Sequence, residues 1–85
     1  MTFEEIEEPI EVIGYFDGQT IRPLRFRWRQ RAYRIAQIHG VWNHASGRDK
    51  EYHFHVSTRD AGSFELIYSN KNFTWKLGRA CIDGS

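Results

Sequence analysis

The chain reads as an all-β domain, about six short antiparallel strands in a curved meander that closes into a small barrel or roll. Three observations lead there. Residues 22–34, RPLRFRWRQRAYR, alternate arginines with Phe26 and Trp28. Residues 51–57 alternate too, with Tyr52, Phe54 and Val56 on one side and His53 and His55 on the other. A period of two is the pattern of a half-buried strand. Turn residues then punctuate the chain at Asp17-Gly18, Asp60-Ala61-Gly62 and Asn70-Lys71-Asn72, and no stretch longer than about ten residues keeps a helical period.

Taken in order, residues 1–9 form an acidic N-terminal arm that ends at Pro9, with Phe3 and Ile6 as anchors. It reads as a solvated tail, as a cover for the arginine row, or as a docking peptide. Residues 10–16 make a first strand closed by Asp17-Gly18. Residues 25–29 and 32–37 make a hairpin. Pairing Trp28 with Tyr33 leaves Gln30-Arg31 as its loop and sets Arg27 opposite Arg34. Residues 38–44 continue the second arm past one bulge near Gln37, because Tyr33 and Ile35 share one parity while Ile38, Gly40 and Trp42 share the other. Residues 43–49 are a polar loop around Gly47. Phe64, Leu66 and Tyr68 line the next strand, and Phe73, Trp75 and Leu77 line the last.

Residues 10–80 are thus one domain, with residues 81–85 as a tail. A flat sheet would leave its aromatic face wet, so the sheet curls or pairs with a second copy. Three Trp, four Tyr and six Phe supply a dense core for 85 residues, since each aromatic buries roughly 150–250 Å². The expected core is Phe26, Trp28, Tyr33, Ile35, Tyr52, Phe54, Phe64, Leu66 and Trp75.

The net charge of +1 hides an asymmetry. Residues 1–11 hold five acids and no base, so the rest of the chain carries twelve bases against six acids, a net of +6. The lone Cys81 permits no internal disulfide and fits a reducing compartment. With an acidic N-terminus and no apolar run near the roughly 20 residues of a membrane span, the expectation is a cytoplasmic protein with no membrane contact.

The string Phe26-x-Trp28-x(4)-Tyr33-x-Ile35, then Trp42, Arg48-x(3)-Tyr52, Phe64-Glu65-Leu66 and Trp75-x-Leu77-x-Arg79 resembles a family of short all-β bacterial domains of unknown function. Members of that family stand alone or follow Y-family DNA-polymerase-like proteins at their C-terminus. The resemblance covers about residues 23–80 and rests mainly on aromatic core positions. It implies the all-β fold and, by association, a DNA repair or replication context. One departure is Gln30, where that family carries Gly in its first hairpin.

The candidate site is the basic outer face: Arg25, Arg27, Arg29, Arg31 and Arg34, with Lys76. Arginine gives bidentate phosphate contacts, so the row suits a nucleic-acid backbone, DNA or RNA. The competing reading is a surface ion network in which Glu51, Glu65 or the acidic arm neutralises the row. Tyr15, Phe16 and Trp42 are the aromatics whose side of the sheet is least determined. His53 and His55 share a face, and His39, His44 or Cys81 would have to complete a metal site, but no spacing matches a ligand motif. No metal and no cofactor are expected. Ser57, Ser63 and Ser69 fall at strand ends or turns, and the seven glycines are scattered singly, so neither a nucleophile nor a phosphate loop is legible. The expected function is a small non-enzymatic binding or accessory domain, nucleic-acid-associated. The alternative is a protein–protein interaction module that uses an exposed strand edge or homodimerises.

Overall fold

The computed structural model describes residues 3–81, apart from the side chain of Ser46. Its strands are β1 (Glu4–Pro9), β2 (Glu11–Phe16), β3 (Ile21–Trp28), β4 (Arg31–Ser46), β5 (Asp49–Thr58), β6 (Ser63–Ser69) and β7 (Thr74–Cys81). They form one antiparallel sheet in the order β1-β7-β6-β5-β4-β3-β2. The two edge strands, β1 and β2, are consecutive in the chain, so the sheet curls into a half-barrel. At the corner the Ile10 N–H donates to the Trp75 carbonyl (3.2 Å).

The core occupies the concave face. Phe26, Phe54, Val56, Phe64, Leu66 and Leu77 are fully buried there, with Trp28 and Tyr33 beside them. Phe26 stacks on Tyr33 (centroids 4.9 Å) and meets Phe64 edge-on (5.1 Å), the offset and T-shaped geometries that ring quadrupoles favour. Ile35, Tyr52 and Trp75 pack against this cluster half-buried.

Single-residue bulges bend the sheet. The registers skip Leu24 in β3, Ala36 and His39 in β4, and Gly78 in β7, and each extra residue adds twist and bends its strand. Pro23 has no N–H to donate, and the β3–β4 ladder ends at Arg25–Arg34, just short of it. Beyond that point the two strands part.

Several sequence expectations need correction. The acidic arm is not a loose cover, because residues 4–9 are strand β1, hydrogen-bonded to β7. The hairpin register is Phe26↔Tyr33 and Trp28↔Arg31, with Arg29-Gln30 as the turn. Both turn residues take positive φ (53° and 67°), the left-handed conformation a tight hairpin imposes to match strand twist. The polar loop at 43–49 shrinks to Gly47-Arg48, since β4 runs on to Ser46 and β5 begins at Asp49. In β4 a second bulge reverses the parity that the first had shifted. Val41 therefore points to the concave side, while Gly40 and Trp42 turn outward. Phe73 belongs to the β6–β7 turn at φ 55° and is 77 % exposed. Residues 82–85 of the expected tail lie outside the described residues.

Candidate nucleic-acid interface

Residues directly opposite one another in an antiparallel ladder share a face. On the convex face of β2–β3–β4 the ladder builds three rows: Glu11↔Arg27↔Ala32, Ile13↔Arg25↔Arg34 and Tyr15↔Arg22. The like-charge pair is therefore Arg25 with Arg34, and not Arg27 with Arg34 as the sequence register implied. Their Cβ atoms stand roughly 4.5–5.5 Å apart in such a pair, which is destabilising when both charges are positive. Glu11, Ile13, Arg25, Arg27 and Ala32 line a groove of about 410 Å³.

Glu11 stands opposite Arg27 without an ion pair among the described residues, and Glu7, Glu8 and Glu65 are bound elsewhere. Glu8 on β1 accepts from the Trp28 Nε1–H (2.8 Å) and from Arg29 through Nη2 (2.8 Å) and Nε (3.2 Å). The Arg29 hydrogen bond first, and the Trp28 bond second, hold the Glu8 carboxyl below the usual carboxylate range, while Glu8 raises Arg29 in turn. Glu7 takes a bond from Lys76 Nζ (2.9 Å), which raises that ammonium. Glu65 pairs with Arg79 (3.2 Å). Among the described residues no ion pair involves Arg22, Arg25, Arg27, Arg31 or Arg34.

The six predicted basic residues thus divide. Arg25, Arg27 and Arg34 stand together on the convex face. Arg29 and Lys76 are each bound to a carboxylate of β1. Arg31 takes the inner parity opposite Trp28 and lies over the Tyr33 ring (4.9 Å), a cation–π contact at the barrel mouth. Sequence reasoning missed Arg22 as a member. The Leu24 bulge puts it on the convex face beside Tyr15, which is 60 % exposed. Pro23 inside a strand pattern was the available signal, since Pro there marks a bulge or an unpaired edge. Phe16, in the same strand end, is exposed as well.

A second cluster covers the convex face of β4–β7. Trp42 stacks on His53 (5.4 Å, 19°), His44 meets His53 edge-on (5.5 Å), and His39 lies 5.2 Å from His55. The alternation of β5 puts His53 on the side away from the core, yet its side chain is only 13 % exposed beneath Trp42. Glu51 and Glu65 approach its ring nitrogens at 3.5 and 3.7 Å, but neither makes a hydrogen bond. Among the described residues no three His, Cys, Asp or Glu side chains are placed to hold a metal ion. Ser57 lies within β5 and hydrogen-bonds His39 Nε2 (2.9 Å). No carboxylate hydrogen-bonds His39 among the described residues, so the orienting third group of a nucleophilic triad is lacking there. Ser63 pairs with buried Cys81 in the ladder, and Ser69 accepts from the Lys71 N–H.

Comparisons with family models, with curated proteins and with solved structures give no match to the chain. No helix is long and apolar enough to cross a membrane among the described residues.

Proposed function

We propose that the protein is a small non-enzymatic accessory module that binds single-stranded nucleic acid across the convex face of β2–β4. The observation that carries this reading is Arg25 directly opposite Arg34, with no carboxylate paired to either among the described residues. Surface ion networks normally neutralise such a pair. Here the available acids of β1 go to Arg29 and Lys76 instead, which leaves the row free to take phosphates in bidentate fashion. Tyr15 stands at the end of the same face beside Arg22, the combination of exposed ring and cation on which an unpaired base stacks. The resemblance to domains that follow Y-family DNA-polymerase-like proteins points the same way.

Fluorescence anisotropy with a labelled single-stranded oligonucleotide tests it. Four phosphate contacts (Arg22, Arg25, Arg27 and Arg34) give a log–log salt slope near −3, about −0.7 per contact for single strands. Between 50 and 200 mM salt, affinity should then fall by roughly 50-fold. Binding that ignores salt, or a duplex of equal length bound more tightly, overturns the reading.

A further inference from the structure

Strand β4 is much longer than the partner it has on one side. β5 pairs along it from Ile35 to Ser46, whereas β3 pairs only from Arg31 to Arg34. From residue 37 to 46 its other edge carries no ladder among the described residues, a free edge of about 30 Å at roughly 3.3 Å per residue. Where β3 and β4 part, Pro23, Leu24, Ile35, Gln37 and Ile38 line a groove of about 420 Å³.

Free edges are normally blunted by charge or proline, because unpaired N–H and C=O groups template pairing with another chain. Two other edges here follow that rule. β1 reads EEIEEP, and the start of β3, which has no ladder on its β4 side, contains Arg22 and Pro23. Residues 37–46 read QIHGVWNHAS, with no Lys, Arg, Asp, Glu or Pro. Val41 on the concave parity is 54 % exposed, and Trp42 on the convex side is 41 % exposed. Both flanks of this edge therefore leave apolar surface in water. β2 is also uncharged from Val12 to Phe16, but it is only six residues long and begins with Glu11.

We infer that this edge pairs antiparallel with the same edge of a second copy, giving a two-fold dimer whose sheet is continuous through β4. An uncharged edge meets itself without like charges opposite each other. A two-fold axis at Asn43 pairs residues 40–46, past the His39 bulge, and keeps concave with concave and convex with convex. It sets Trp42 beside His44 of the second copy and Val41 beside its Ala45. The arrangement is independent of the arginine row, which lies on β2–β3 and the start of β4.

Sedimentation equilibrium of the full chain, from micromolar to millimolar, tests this directly. The wild type should reach twice the mass of one chain, with a dissociation constant little changed by salt, unlike phosphate binding. Val41→Lys, or Asn43→Lys should the first fold poorly, should give a monomer with an unchanged circular dichroism spectrum. Ile13→Lys on β2 should leave the dimer intact. A wild type that stays monomeric throughout overturns the inference. So does a dimer broken by Ile13→Lys, or one that survives both β4 lysines.

Discussion

Gln30 occupies φ 67° at the second position of the β3–β4 turn, a conformation that glycine adopts freely and a side chain does not. Gln30→Gly should therefore stabilise the protein by up to about 1 kcal/mol, the strain relieved less the added freedom of the unfolded chain. Thermal denaturation would reveal it, and a lower melting temperature would show that the turn is unstrained. Gly78 presents the opposite constraint. A Cβ there would lie 2.7 Å from Ile67 Cδ1 and 2.8 Å from Glu65 Oε1, both on buried residues. Gly78→Ala should thus cost about 1–3 kcal/mol, measured by chemical denaturation; a neutral effect would mean that Ile67 and Glu65 move aside freely. Glu8 adds a pH dependence. Folding lowers its pKa, so its stabilisation is complete above the unfolded carboxylate value of about 4.3 and is lost as pH falls through the lower folded value. Asp17, lowered by the Thr20 and Gln19 backbone N–H groups, behaves the same way. Glu8→Gln should flatten part of the acid limb of melting temperature against pH and leave the part due to Asp17; an unaltered limb would contradict the clasp.

Among the elements, β1 differs most from its sequence appearance. EEIEEP has the composition of a solvated tail, and nothing local signals a strand. Its partners lie far along the chain: Leu77 and Lys76 in the ladder, Lys76 again for Glu7, and Trp28 with Arg29 for Glu8. Pairing at that separation leaves no trace in local periodicity. The β5 phase and the β3 phase from Arg25 to Trp28 were legible because Phe26, Trp28, Phe54 and Val56 alternate with polar residues and no bulge falls within those stretches. In β4 the two bulges at Ala36 and His39 cancel, so a pattern that shows one slip misplaces Trp42. Of the candidate site, Arg25, Arg27 and Arg34 were legible as an alternating row. The pairing of Arg29 and Lys76 with carboxylates was not, because it depends on β1. Deleting residues 1–9 should consequently unmake the fold, with loss of cooperative melting, rather than uncover a binding surface. A truncated protein that melts like the full chain would return β1 to the status of an arm. Trp28→Ala, which also removes the Glu8 hydrogen bond, should cost roughly 3–5 kcal/mol.

At the scale of the molecule, charge is sorted by position rather than by total. Glu7 of β1 binds Lys76 on the neighbouring β7 and Glu8 reaches Arg29 in the β3–β4 turn, while among the described residues the convex face of β2–β4 keeps its arginines without an ion pair. Such sorting ties β1 to the β3–β4 turn through Glu8 and Arg29 and leaves a second set of cations for a ligand. Stability and binding therefore depend on the Arg25–Arg34 pair with opposite signs, and Arg34→Thr measures both. Thr keeps the strand propensity and removes one of the two facing charges. Melting temperature should rise, by an amount equivalent to about 0.2–1 kcal/mol, while anisotropy shows weaker binding to a single-stranded oligonucleotide and a salt slope shallower by about 0.7. A variant that melts lower and binds the oligonucleotide as the wild type does would contradict the account.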